Sequence, residues 1–215
     1  MKRLFLTMMA IVGISASAWA QTVDWNIGYR GEVNVGFATG GRFSFMDVDF
    51  KSDISRPFIE TVHGVTVTKY AFVGVGAGLQ YYYGRALKQM SDEKWNTLSI
   101  PIFVNMKGWY PVNDNVRPYI SLSLGGSAIA TSGLNENELD YDDDMTTASA
   151  IKLNGGFYCD FGVGVQLKKF NIGIGLQHQG LALKNTMKIV DYGISSSETI
   201  HGKHNSFYVK IGVCF

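Results

Sequence analysis

The chain has 215 residues, a length for one domain, and a formal net charge of +1. Charged residues are only 17% of it, against about 25% in soluble domains, while Gly reaches 25 residues, Phe 13, Tyr 11 and Trp 4. That aromatic content excludes a disordered chain, 2 Cys exclude a disulfide scaffold, and near-neutrality leaves no electrostatic footprint for nucleic acid.

Met1–Ala20 opens with Lys2 and Arg3, runs apolar from Leu4 to about Ile14, and ends Ala18-Trp19-Ala20. This is the layout of a cleaved secretory signal peptide, with a small-x-small cleavage site. Its apolar run is shorter than the roughly 20 residues a spanning helix needs. No Cys follows the site, so a lipoprotein anchor is not expected. The mature domain is then 21–215. It contains no long uninterrupted apolar run, so any membrane insertion must use a closed barrel, which also satisfies every backbone group in lipid.

The mature chain alternates with period two, which marks strands with one apolar face. Ile27, Tyr29, Val33, Val35 and Phe37 open the series over 26–38. The segment 56–66 is weaker, and its faces are hard to assign. Val73, Val75, Ala77 and Leu79 carry 69–83, and Ile100, Ile102, Val104 and Met106 carry 95–109. Ile120, Leu122 and Leu124 mark 116–131, and Phe157, Phe161, Val163 and Val165 mark 153–168. Ile172, Ile174 and Leu176 mark 170–184. Phe207, Val209, Ile211, Val213 and Phe215 close the chain over 204–215.

Eight such segments predict an all-β fold, an eight-stranded antiparallel up-and-down transmembrane β-barrel. Connections are short near Val67-Thr68, at 110–115 and at Lys168-Lys169, and long at 39–55, 84–94, 132–152 and 185–203. Short turns on one side and long loops on the other are the outer-membrane pattern, and an even strand number puts both termini on the periplasmic side. A soluble sandwich or lipocalin-like barrel also alternates, with its apolar face inward. Against it stand the glycine-rich polar face, the scarcity of charge on the strands, and aromatics gathered near strand ends. One girdle is Tyr81, Tyr82, Tyr83, Trp95, Phe157, Tyr158, Phe207 and Tyr208. The other is Trp109, Tyr110, Tyr119, Phe170 and Phe215.

The signal peptide, the strand spacing and the terminal Phe215 resemble small OmpA-type barrels. Ser99–Lys107 and Arg117-Pro118-Tyr119-Ile120 resemble the outer membrane protein β-barrel domain family common in Bacteroidetes. The resemblance covers 21–215. It implies a Gram-negative outer membrane, insertion by the barrel assembly machinery, and an assembly signal in Phe207, Val209, Ile211, Val213 and Phe215. Fold does not carry function with it.

Eight strands enclose an interior that side chains can fill. The polar parity places Arg30, Glu32, Glu60, Lys107, Arg117, Asp160, Gln166 and Lys210 inward, with both charge signs present. Buried charges must pair, so an ion-pair and hydrogen-bond network is expected there, with inward glycines making room for it. The Gly pairs imitate fragments of a dinucleotide loop but lack its strand–turn–helix setting. Glu136, Glu138, Asp140, Asp142, Asp143 and Asp144 form an acidic extracellular loop, expected to be solvated. Asp140, Asp142 and Asp144 share the 1-3-5 spacing of a calcium loop. Met145 and Ile151 stand where its Gly and bidentate Glu should be, so no metal site is assigned. Cys159 and Cys214 are expected to be free, outward-facing thiols. His63, His178, His201 and His204 have no evident nucleophile and orienting acid, so no catalytic residue and no cofactor are assigned.

The expectation is therefore a structural or surface-interaction protein of the outer membrane, monomeric, surrounded by lipid and lipopolysaccharide, with its loops carrying any extracellular ligand. A narrow channel or transport component is the first alternative. A lipid A or phospholipid acyl-modifying barrel enzyme is the second.

Overall fold

The computed structural model describes residues 25–45, 48–51, 54–84, 96–110, 112–113, 115–132, 136–142, 145–189 and 194–215. The signal-peptide segment 1–20 and Trp95 lie outside these residues. Ten strands occur among the described residues: β1 (Trp25–Phe45), β2 (Val48–Lys51), β3 (Arg56–Thr68), β4 (Ala71–Tyr82), β5 (Thr97–Trp109), β6 (Val116–Ser132), β7 (Glu136–Asp142), β8 (Met145–Leu167), β9 (Phe170–Ile189) and β10 (Ile194–Cys214).

Eight of them form the ring, in the order β1-β3-β4-β5-β6-β8-β9-β10. All neighbours are antiparallel, and β10 returns to β1 from Glu32↔Cys214 to Phe45↔Gly202, so no edge is left in the ring. The remaining two, β2 and β7, pair only with β1 and β8 and belong to the long connections.

The faces are reversed relative to a soluble barrel. Outward positions are apolar and exposed: Val33, Val35 and Phe37 on β1, Ile102 and Val104 on β5, Ile172, Ile174 and Leu176 on β9. Most buried positions are polar, among them Glu32, Asn34, Glu60, Asn105, Lys107, Asp160, Gln177 and Lys210. Water would expel the first set and solvate the second, so this arrangement is stable only in lipid.

The short turns lie at Lys69-Tyr70, 110–115 and Lys168-Lys169; the first falls two residues beyond its expected place. Lys168 takes φ 55°, the left-handed conformation that two-residue hairpins favour, and its carbonyl accepts from Gln166 Nε2 at 2.6 Å.

The long connections depart from expectation. Much of 39–55, 132–152 and 185–203 is strand. β1 runs seven residues past 38, β8 begins at Met145 and β10 at Ile194. The strands β1, β8, β9 and β10 have 21, 23, 20 and 21 residues, about twice what a tilted strand needs to cross a bilayer. In their halves remote from the short turns the alternation of burial is lost. Ser195, Ser196, Ser197, Glu198 and Thr199 are all exposed, so alternation no longer marks the strand.

The girdles are also revised. Neighbouring residues on a strand point to opposite faces, so one member of each adjacent aromatic pair turns inward. Tyr82, Tyr158, Tyr208, Trp109 and Tyr119 are buried in the lumen, while Tyr81, Tyr83, Phe157, Phe207, Tyr110, Phe170 and Phe215 face out. The inward glycines make room for these rings more than for charged side chains. A Cβ on Gly162 or Gly175 would strike Tyr208, and one on Gly164 or Gly173 would strike Tyr119.

Candidate functional site

The lumen is filled in tiers, each set by strand register. At the short-turn end, Glu32 lies on β1 opposite Cys214 on one side and Val62 on the other. Arg30 Nε donates to Glu32 Oε1 at 3.0 Å, and Lys107 Nζ donates to Oε2 at 2.5 Å. Arg30 Nη2 also donates to Gln166 Oε1 at 2.7 Å and to Cys214 Sγ at 3.0 Å. One carboxylate therefore bridges two cations, with Glu32 only 1% exposed.

In the middle tier, Lys210 Nζ donates to Glu60 Oε1 at 2.9 Å and lies 4.0 Å from Asp160 Oδ1. Asn34 Nδ2 donates to Glu60 at 3.1 Å, and Tyr208 Oη to Asp160 at 3.1 Å. Asn171 joins the tiers by donating to Asn34 Oδ1 at 3.0 Å. Phe103 and Tyr158 stack across the same level with centroids 5.3 Å apart.

The outer tier is centred on Arg56. Its Nη1 donates to Tyr82 Oη at 2.6 Å, and its Nη2 to Ser206 Oγ at 2.6 Å and to Gln177. Tyr82 in turn donates to Gln179, whose Nε2 reaches Ser127 at 2.7 Å and Ser99 at 3.0 Å. The four lumen cations among the described residues each lie over an aromatic face: Arg30 over Trp109 (4.7 Å), Lys107 over Tyr119 (4.6 Å), Arg56 over Tyr82 (4.8 Å) and Lys210 over Tyr208 (5.2 Å). Each ring quadrupole adds attraction where water is excluded.

Arg30, Glu32, Glu60, Lys107, Asp160, Gln166 and Lys210 thus meet inside the barrel. Arg117 does not join them. It is half-buried at the turn end and makes no ion pair or hydrogen bond among the described residues. Arg56, Tyr82, Gln177 and Tyr208 were not anticipated. The signal for Arg56 was its parity with Glu60, masked because β3 carries Phe58 and Val62 inward and Thr61 and His63 outward. Cys214 is corrected to the lumen face, since it pairs with the inward Glu32. Cys159 is half-buried, and both thiols are free.

Phe207, Val209, Ile211, Val213 and Phe215 face outward along β10, with the Phe215 ring lying over Gly31. In the acidic loop, the backbone of Glu136–Asp142 is extended and pairs with Met145–Ile151 rather than curling as a calcium loop. Asp143 and Asp144, and the side chains of Glu136, Glu138, Asp140 and Asp142, lie outside the described residues.

Among the histidines, His204 is buried and packed edge-on against Tyr82. On the outer surface, His63 Nδ1 meets Tyr29 Oη at 2.6 Å and its Nε2 meets Thr61 Oγ1 at 2.8 Å. That chain has the order of a nucleophile, a base and an orienting group. Thr61 and His63 are laddered on both sides, so their neighbouring N–H groups are taken and form no oxyanion cradle. His178 Nδ1 meets Asn205 Oδ1 at 2.6 Å. No group of three His, Cys, Asp or Glu suited to a metal ion occurs among the described residues.

A closed antiparallel ring with a polar filling and an apolar outside defines a membrane-spanning β-barrel of the outer membrane. The chain belongs to the outer membrane protein beta-barrel domain family, whose model matches residues 6–215. No curated protein sequence matches it. Among solved structures, it is similar to Ail, the attachment invasion locus protein of Yersinia pestis, solved with the heparin analogue sucrose octasulfate. Identity is 11%, coverage 87% of this chain and 99% of Ail, and the TM-score 0.42. The outer membrane protein AlkL, solved in DMPC bilayers, is 12% identical over 90% of this chain and 93% of its own, with a TM-score of 0.45. The outer membrane protease OmpT of Escherichia coli is 8% identical over 90% and 98%, with a TM-score of 0.40. These neighbours differ in role, and likeness at this level concerns fold alone.

Proposed function

We propose that this barrel is a structural or surface-interaction protein of a Gram-negative outer membrane, of the kind common in Bacteroidetes and OmpA-like in build, with no catalytic role. The observation that carries this reading is the occupied lumen. Three tiers of ion pairs, amides and stacked rings cross it, leaving the raised outer hairpins of β1, β8, β9 and β10 as the part that meets other molecules. Residues 1–20 act as the cleaved signal peptide, and both termini lie on the periplasmic side with the short turns. The outward Phe207–Phe215 face is the signal taken up by the barrel assembly machinery. The mature protein is a monomer in lipid and lipopolysaccharide, and the hairpins carry any extracellular ligand.

The test is heat-modifiable gel migration of the protein in an outer-membrane fraction, joined to single-channel recording of the purified barrel. A migration shift with no unitary conductance is expected. A steady conductance would favour the narrow channel instead, and acyl release from labelled lipopolysaccharide would favour the enzyme.

A further inference from the structure

The lipid-facing surface carries an open groove of about 840 Å³ toward the short-turn end, crossing β5, β6, β8 and β9. Its floor is strand backbone at the inward positions Trp109, Tyr119, Gly164 and Gly173. Its walls are the outward side chains of Tyr70, Tyr110, Ile120, Val163, Ile172 and Ile174, all exposed. The surface is hollow there because Gly108 and Pro118 take outward positions that Met106 and Ile120 fill one step along the same strands. Packing does not demand Gly108. A Cβ built on it would meet Ile120 at 3.7 Å and the Tyr70 carbonyl at 3.9 Å, ordinary contacts, whereas one on Gly164 or Gly173 would strike Tyr119. Glycine weakens a strand and often marks the close approach of another group. At Gly108 that approach is open from the lipid side alone.

The groove leads to positive charge. Leu167 and Phe170, the next outward residues beyond Val165 and Ile172, border a second hollow of about 430 Å³ with Lys168, Lys169 and Asn115. Lys168 stands about 10 Å along β8 from Val165 at about 3.3 Å per residue, a span that a snorkelling lysine shortens. Lys69, with its Nζ 5.0 Å from the centre of the Tyr70 ring, and Arg117 stand at the same end. Lys69, Arg117, Lys168 and Lys169 pair with no carboxylate among the described residues. An apolar slot ending in unpaired cations complements an amphiphile with a negative head. A zwitterionic lipid answers its phosphate with its own ammonium, so a net negative headgroup gains most from these lysines. A second copy of the chain would set the same cations against each other.

We infer that this face is a binding site for one phospholipid with a net negative headgroup. An acyl chain lies in the groove against Gly108, and the headgroup phosphate is held by Lys168 and Lys169. The lipid comes from the leaflet on the short-turn side; that this leaflet is the periplasmic one rests on the orientation proposed above. Micelles have no leaflets, so the binding test stands apart from that orientation.

The experiment is native mass spectrometry of the refolded barrel from non-ionic micelles, titrated with phosphatidylglycerol and phosphatidylcholine of the same chains. One retained phosphatidylglycerol is expected, roughly tenfold tighter than phosphatidylcholine, as two lysines beside a negative charge warrant. Lys168→Asn with Lys169→Gln should bring phosphatidylglycerol down to the phosphatidylcholine level; Asn suits the left-handed backbone of residue 168. Gly108→Leu fills the groove and should weaken both lipids while keeping the heat-modifiable shift. Equal retention of the two lipids by the wild type, a preference that survives loss of both lysines, or retention of a protein dimer in place of lipid would overturn the site. So would unchanged binding by Gly108→Leu. If that variant does not refold, the wild type decides by NMR with one equivalent of phosphatidylglycerol spin-labelled at mid-chain. Methyl signals of Ile120, Val163 and Ile172 should broaden more than those of Val33 and Val65 on the opposite wall, and equal broadening overturns the site.

Discussion

Lys210→Met tests the lumen network most directly. Met keeps most of the lysine stem and its volume, so the perturbation is the loss of a charge rather than the opening of a cavity. Lys210 is 6% exposed and faces Glu60 at 2.9 Å and Asp160 at 4.0 Å, both 5% exposed or less. Without it, two carboxylates share a dry tier with only the neutral donors of Asn34 and Tyr208. Breaking a buried pair by removing one partner costs about 3–5 kcal/mol, or two to three and a half powers of ten in the unfolding equilibrium. That is a large share of the roughly 5–15 kcal/mol that holds a typical domain together. Urea titration of the barrel in lipid vesicles, read by tryptophan fluorescence and by gel shift, measures it. The variant Lys210→Met with Glu60→Gln and Asp160→Asn should recover to within about 1 kcal/mol of wild type, because no uncompensated charge then remains. Conductance should stay negligible in both, since Phe103, Tyr158 and Tyr208 still cross the lumen. A cost below about 1 kcal/mol for the single variant, or a new channel, would refute the reasoning.

Glu32→Gln should cost about 3–5 kcal/mol by leaving Arg30 and Lys107 without their shared carboxylate. Adding Lys107→Met should recover much of it, as read by the same urea midpoint. Gly164→Ala places a methyl against the Ile172 carbonyl and the Tyr119 ring. An overpacking loss of about 1–3 kcal/mol is expected in urea unfolding, and Tyr119→Leu in the same chain should relieve part of it. Apolar maleimide should label the half-buried Cys159 of the folded barrel, leaving Cys214 unmodified until unfolding, since its sulfur lies under Arg30 and Asn171. Mass spectrometry of the labelled peptides checks this, and equal labelling of both would place Cys214 on the outside after all.

The membrane-spanning part of each strand was legible because lipid and lumen impose opposite chemistries on successive residues. Val209 and Lys210, or Phe161 and Asp160, are told apart by that contrast alone. The same rule explains the errors. Away from the short turns the contrast vanishes, so Ile194–Lys203 carries no alternation and reads as loop although it pairs along β9. Aromatic residues are tolerated on both faces, so Tyr82, Tyr158 and Tyr208 were counted with the girdles when their parity placed them inside. In β3 the inward Phe58 and Val62 and the outward Thr61 and His63 blurred the assignment that would have brought Arg56 in beside Glu60.

By itself, the sequence determined the ring of eight strands, most of the inward charges, and the reversal of polar and apolar faces. Each depends on neighbouring residues, and period two is a local property of extended chain. Only the tertiary structure decided which charges meet. Lys107 and Glu32 are 75 residues apart, Lys210 and Glu60 150, and closure and register across the ring bring them together. It also decided that Arg56 is held by Tyr82, Gln177 and Ser206, which come from three different strands.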